Sequence, residues 1–132
     1  MAESVVANLH YGGEYLQQLQ EDARTGKCRF CEETKDPSLR ILSGDGWWVK
    51  ANPFPPKSGY PLGKPIQIPA RAAYLIIAER HVMPVERLTS ADWATVGALF
   101  EAIWERERLP GGIVGMRFGH PTYSGTTIIH RH

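Results

Sequence analysis

Two short stretches carry side chains able to do chemistry: Cys28-Arg29-Phe30-Cys31 and, far downstream, His130-Arg131-His132. A Cys-x-x-Cys supplies two thiolates from one tight turn and leaves a tetrahedral metal ion two ligands short. On a strand, residues i and i+2 point to the same face with Cα atoms about 6.5 Å apart, so His130 and His132 can serve one site. Each piece also has a plainer reading. The histidines alone could be a solvated pair on a frayed segment. The cysteines, the only two in the chain, could be a redox pair. That reading expects a βαβ context and a helix opening at the first thiol, whereas Glu32-Glu33-Thr34-Lys35-Asp36-Pro37-Ser38 reads as an acidic turn. Metal is therefore the preferred reading.

The missing ligands must be histidines or carboxylates. Five histidines are available: His10, His81, His120, His130 and His132. His10 lies in the least specified region, and His120 precedes a proline in a loop where a solvated role is expected. His81 follows an apolar run that reads as a central strand, and His130 lies on the last strand candidate. Cys28, Cys31, His81 and His130 form the most economical closure, one of several combinations. Four protein ligands make a closed, structural site, which leaves His132 on the same face for other chemistry.

The elements that must position these groups follow from periodicity. A helix is expected mainly over residues 13–24, stopped by Gly26. The β-rich runs Leu39–Leu42 and Trp47–Lys50 flank Ser43-Gly44-Asp45-Gly46 and read as a hairpin. Six of the ten prolines fall in 53–69, so residues 53–70 read as a long loop insertion carrying Lys57 and Lys64. Such a loop is either a lid or binding element or a tolerated surface insertion. Tyr74–Ala78 is a continuous apolar run and reads as a buried strand. Thr89 or Ser90 starts a long helix with Asp92 in its first turn, ended by Pro110-Gly111-Gly112. Its apolar positions Trp93, Val96, Phe100, Ile103 and Trp104 read as core or subunit interface. Ile113–Phe118 and Thr126–His132 complete about five strand candidates.

Composition sets the class. With 132 residues, 42% hydrophobic and 22% charged, the chain fits one soluble globular domain spanning 1–132, with 1–27 as an N-terminal helical extension. A formal charge of +1 without like-charge runs gives no footprint for nucleic acid or an anionic membrane. No run approaches a membrane span, and Met1-Ala2-Glu3-Ser4 lacks the order of a secretory signal, so a cytoplasmic location is expected.

In order along the chain come Cys-x-x-Cys, Trp48-Val49-Lys50-Ala51-Asn52-Pro53, Leu75-Ile76-Ile77-Ala78-Glu79-Arg80-His81-Val82, a helix, Arg117-Phe118-Gly119 and Ser124-Gly125-Thr126-Thr127-Ile128-Ile129-His130-Arg131-His132. This series resembles the histidine triad superfamily from about residue 28 onward. His130 and His132 resemble the first two histidines of its His-x-His-x-His motif, and the third would fall two residues past His132. The resemblance implies an α+β fold with an antiparallel sheet, usually dimeric, that binds nucleotides. It implies structural Zn2+ on Cys28, Cys31, His81 and His130, and His132 as the nucleophile that takes up a nucleotidyl group at the α-phosphate. Gly125, Thr126 and Thr127 resemble the phosphate-contacting segment, and Asn52 the position beside the nucleoside. Arg117 stands where many members have asparagine and could contact phosphate. The implied activity is nucleotide hydrolysis or nucleotidyl transfer. The alternatives are an inactive nucleotide-binding module of the same fold or a small zinc-stabilised interaction domain.

Overall fold

The computed structural model describes residues 13–52, 72–120, 123 and 130–132. The expected contributions of His10, of the whole 53–70 loop, and of Gly125, Thr126 and Thr127 lie outside these residues.

The chain runs α1 (Gly13–Thr25), α2 (Arg29–Thr34), a 3-10 turn (Pro37–Leu39), β1 (Leu42–Gly44), β2 (Trp47–Ala51), β3 (Tyr74–Ala78) and α3 (Ser90–Glu107). It is an α+β arrangement around a three-stranded antiparallel sheet in the order β1-β2-β3. Gly26, at φ +72°, takes the left-handed conformation that ends α1, as its position suggests. The hairpin turns on Asp45-Gly46, with Gly46 at φ +81°. Positive φ there lets a two-residue turn match the twist of the strands. The hairpin register pairs Leu42 with Val49 and Gly44 with Trp47, so β1 starts later than the β-rich run suggests.

The middle strand divides the core into two. Trp48 pairs with Ile77 and Lys50 with Leu75, while Trp47, Val49 and Ala51 pair with Ala78, Ile76 and Tyr74. Because alternate residues face opposite sides, Trp48 and Ile77 meet Leu19 of α1 and Phe30 of α2. Trp47, Val49 and Ala78 meet Val82 and Leu99 and Ile103 of α3. Each tryptophan also has its indole N–H satisfied: Trp47 donates to Asp92 Oδ1 at 3.0 Å and Trp48 to Thr34 Oγ1 at 3.0 Å. This is what full burial of an indole requires.

α3 begins where its cap residue indicates. The Thr89 hydroxyl accepts from the Asp92 amide and the Asp92 carboxylate accepts from the Thr89 amide, a complete capping box. Its end departs from expectation. The helix stops at Glu107, with Arg108 left-handed at φ 50° and Trp104 Nε1 donating to the Leu109 carbonyl at 2.8 Å. The termination therefore precedes the Pro-Gly-Gly sequence.

Three further differences matter. The aromatic stripe of α3 is not the core: Trp93 is 53% and Trp104 45% exposed, while Leu99 and Ile103 are buried. At 100° per residue the set Val96, Leu99, Ile103 lies about a quarter-turn from Trp93, Phe100, Trp104. The helix presents the narrower aliphatic stripe to the sheet. Ile113–Phe118 makes no strand pairing, and Ile113, Val114 and Phe118 are exposed. An apolar β-rich run becomes a strand only beside an edge with which it can pair, and no described strand pairs with it. Of the 126–132 strand candidate only His130–His132 lies among the described residues; it forms no ladder there, but it is tied to the end of β3 by Ala78 N–H to Arg131 O at 3.2 Å and Arg131 N–H to Val82 O at 2.7 Å.

A Cys2His2 candidate metal centre beside His132

Cys28 is the N-cap of α2, and its sulfur accepts from the Cys31 amide at 3.4 Å. A helix thus opens at the first thiol and runs through Thr34, so the first part of the Glu32–Ser38 stretch is helical and not the acidic turn that its composition suggests. Six residues are too few for periodicity to register, and the cap with the first-turn carboxylate of Glu32 starts the helix. The helix sends its side chains in distinct directions. Arg29 reaches α1, donating from Nε and Nη2 to the buried Asp22 carboxylate at 2.9 and 2.8 Å. Phe30 enters the core, and the two sulfurs, one turn apart, face the histidines.

Cys28 Sγ lies 3.4 Å from His130 Nδ1, and Cys31 Sγ lies 3.4 Å from His130 Nδ1 and 3.2 Å from His81 Nδ1. One donor atom from each of Cys28, Cys31, His81 and His130 lies within 4.8 Å of all the others, close enough to bind a metal ion. The four come from the N-cap and first turn of α2, the exit of β3 and the segment after residue 129. They span the fold from its N-terminal helices to its far end.

The tautomer of His130 follows from its partner. Nε2 lies 2.6 Å from the Ala78 carbonyl, which can only accept, so Nε2 carries the proton and Nδ1 turns a lone pair toward the sulfurs. A carbonyl on the far nitrogen is the arrangement that orients a metal-binding imidazole. Burial pushes the His130 pKa down to about 4, against the opposing pull of the Ala78 hydrogen bond. Burial, followed by the neighbouring Cys28, pushes the Cys31 thiol up to about 12. Both residues therefore stand neutral at pH 7 when nothing but protein surrounds them. A cation between them would reverse the balance at sulfur, because a coordinating thiol is deprotonated.

His132 follows two residues on and lies on the same side. Its Nδ1 is 2.8 Å from the His130 carbonyl, so Nδ1–H donates and Nε2 keeps its lone pair. Desolvation lowers its pKa, against the His130 hydrogen bond, and the positive charge of Arg117 lowers it further. Asn52 closes the β2–β3 ladder, its N–H donating to Ala73 O at 2.9 Å. His120 is exposed, with its ring against Tyr123 at 6.1 Å, and is not part of the cluster.

Two residues of the site escape motif reading. Phe30, the second residue inside the Cys-x-x-Cys, is buried and meets both the His130 and His132 rings edge-on. The only signal for it in the sequence is an aromatic between two ligands. Arg131 points away from both histidines and is itself buried. It donates from Nη2 to the Glu86 carbonyl and from Nη1 to Met116 Sδ at 3.5 Å, while its Nε has no hydrogen-bond partner among the described residues. Because successive side chains alternate, anchoring Arg131 to one side commits His130 and His132 together to the other.

Comparison with family models, curated proteins and solved structures finds no match for this chain. Among the described residues no helix is long and apolar enough to cross a membrane.

Proposed function

We propose that the chain is a zinc-stabilised nucleotide hydrolase or nucleotidyl transferase of the histidine triad type, with His132 as nucleophile. The observation that carries this reading is the pair of opposite tautomers on neighbouring histidines. His130 turns Nδ1 to the sulfurs, and His132 gives Nδ1–H to the His130 carbonyl and keeps Nε2 for attack.

Zinc is the metal whose chemistry suits the donors. Two thiolates and two imidazoles around a tetrahedral ion, with metal–sulfur about 2.3 Å and metal–nitrogen about 2.0–2.1 Å, place sulfur and nitrogen about 3.5 Å apart. The observed sulfur–nitrogen contacts of 3.2–3.4 Å are close to that. With four protein ligands the ion's part is structural: it joins α2, the exit of β3 and the His130 segment.

In the proposed reaction the Nε2 lone pair forms a bond to the α-phosphorus of a nucleotide or nucleotide conjugate as the bond to the leaving group breaks. The leaving group departs with the electron pair and takes up a proton. Water, or another acceptor, then cleaves the nitrogen–phosphorus bond, releases the nucleoside monophosphoryl group and restores Nε2. A neutral imidazole is a good nucleophile near pH 7. The positive charge of Arg117, felt at His132, would favour a phosphate at that place. By the same resemblance, Gly125, Thr126 and Thr127 supply phosphate contacts and Asn52 a contact to the nucleoside. The reading places the protein in a reducing cytoplasm, where both cysteines stay reduced and available as metal ligands. It also makes it a homodimer, for which the exposed Trp93, Trp104, Ile113, Val114 and Phe118 offer apolar surface.

Native mass spectrometry with an adenylyl phosphoramidate tests the proposal. One zinc per chain and a covalent adenylyl adduct, lost in His132→Ala with zinc retained, are expected. Zinc retention without adduct or bound nucleotide in the parent protein overturns the enzyme reading and leaves a structural module.

A further inference from the structure

We infer that Phe30 is a positioning residue for His132, its ring setting the orientation in which the imidazole presents Nε2. The inference rests on the nucleotidyl-transfer reading above and goes beyond it, because nothing in that reading requires a particular residue between the cysteines.

The hydrogen bond from His132 Nδ1 to the His130 carbonyl fixes one atom of the ring. By itself it leaves the ring free to pivot at Nδ1, which bends the hydrogen bond, weakens its hold on the Nδ1–H tautomer and displaces Nε2 on the far side. The second constraint is Phe30. Its ring meets His132 at a centroid distance of 4.7 Å and an interplanar angle of 69°, and meets His130 at 5.8 Å and 84°. One aromatic thus abuts both imidazoles edge-on, a preferred geometry for such pairs.

Phe30 can act as a reference because it is itself held. It is buried against Leu19, Trp48 and Ile77, and its carbonyl accepts from Thr34 Oγ1 at 2.6 Å. Its backbone lies between Cys28, the cap of α2, and Cys31. A metal that gathers both sulfurs fixes the stretch of helix from which Phe30 projects. The path from metal to Nε2 has two arms: through the chain from His130 to His132, and through α2 and the Phe30 ring. Replacing Phe30 by leucine would keep an aliphatic side chain against Leu19 and Ile77 while removing the aromatic edge that meets the two imidazoles. A displacement of Nε2 by a fraction of an ångström is enough to matter, since misplacement of about 1 Å can cost about a hundredfold in rate.

The test compares zinc-loaded wild type with Phe30→Leu and Phe30→Met at about pH 8, well above the ordinary imidazole pKa of about 6.5. Long-range proton–nitrogen spectra of the His132 ring report its tautomer, and steady-state kinetics on an adenylyl phosphoramidate report kcat and KM. The expected result is unchanged zinc content and a shift of His132 from a single Nδ1–H pattern to a mixture. With it, kcat should fall about ten- to a hundredfold while KM moves by less than about threefold. A zinc-loaded variant with the wild-type nitrogen pattern and kcat overturns the inference, even if its melting temperature is lower, because a residue that only fills the core would do just that. Should neither variant fold, nuclear Overhauser contacts between the Phe30 and His132 ring protons in wild type decide, and their absence overturns it. If wild type shows no turnover, the nucleotidyl-transfer reading fails by itself, while the nitrogen spectra still decide whether Phe30 sets the ring.

Discussion

The two faces of the sheet are built from the same strands by opposite means. On the α3 side, Trp47 and Val49 pack on Leu99, Ile103 and Val82, and the helix carries its own capping box. On the other side, Trp48 meets Leu19 and Phe30, but the layer around them is held by polar devices. These are the Asp22–Arg29 pair, the buried Lys50–Glu33 pair at 2.5 Å and the Cys/His cluster. α2 has only six residues, too short to persist from its own hydrogen bonds. One face is closed by apolar burial, whereas the other must be tied. A tied layer can hold reactive groups in fixed orientation, and the difference in origin makes the faces separable by experiment.

If the cluster holds zinc as proposed, removing the ion gives the strongest separation, since structural zinc in small domains contributes about 10–16 kcal/mol of apparent binding energy. Hydrogen exchange of metal-loaded protein before and after chelation, or in Cys31→Ala, should show α2 and the His130 segment losing protection by the largest factor. The middle of α3 should lose the least. Equal loss on both faces would mean that the faces are not independent. Metal binding by the wild type should also release protons into a weakly buffered solution at pH 7, because the Cys31 thiol, pushed up to about 12 without metal, must ionise to coordinate.

The Lys50–Glu33 pair gives the next effect. Lys50 and Glu33 side chains are only 9% and 16% exposed, so removing one partner leaves a poorly solvated charge. Glu33→Gln should destabilise by about 3–5 kcal/mol, while the double change Lys50→Met, Glu33→Leu should be near neutral. Leu99→Ala on the opposite face should cost about 2–5 kcal/mol through a cavity. Both are read from denaturant midpoints, and metal stoichiometry should hold in Leu99→Ala. A loss of metal in Leu99→Ala would contradict the proposed independence of the faces.

How legible each face is in the sequence follows from the same contrast. The α3 face is announced by local chemistry: Thr89 and Asp92 mark the helix start, Ser43-Gly44-Asp45-Gly46 marks the hairpin, and the continuous run Tyr74–Ala78 marks a strand, although among the described strands it takes the edge beside β2 and not the centre that its apolar run suggests. The four ligands are legible too, since thiol and imidazole are scarce types and their spacing limits the choices. What escapes is set by long-range packing. Ile103 is legible as an inward position, but nothing local says that α3 turns Leu99 inward beside it and leaves Trp93 and Trp104 exposed. Ile113–Phe118 has strand composition but no described partner. Phe30 and Arg131 matter through what they touch many residues away, which a motif does not encode.

Acid sharpens the comparison further. Burial holds His130 at about 4, below the ordinary 6.5, so between these values the unfolded chain binds the extra proton. Stability of metal-free protein should therefore be full above about pH 6.5 and decline as pH falls toward about 4, then level off for this residue. Metal-loaded protein should lose its ion over an acid range as protons compete for the ligands. Melting temperatures of both forms at a series of pH values check the sign, and a metal-free form growing more stable on acidification would contradict a buried neutral His130.

The smallest effect belongs to the cap of α3. The Asp92 carboxylate accepts from the Thr89 amide at 3.0 Å, the Thr89 hydroxyl at 2.9 Å and the Trp47 indole at 3.0 Å, and these donors hold its pKa below the usual carboxylate value. Thr89→Ala removes one donor and the bond to the Asp92 amide, and should cost about 1 kcal/mol, seen as a few degrees in melting temperature. Asp92→Ala also leaves the Trp47 indole N–H unpaired and should cost more, with an acid signature. Its deficit relative to wild type should be present above about pH 4 and shrink as acid protonates the wild-type carboxylate. Because Asp92 sits near solvent, salt and water screen the contribution and keep it small. Neither change touches the Cys/His layer, so metal content and the His132 ring spectrum should stay as in wild type. A shift in either would show that the strand carrying Trp47 and Trp48 transmits strain from one face to the other.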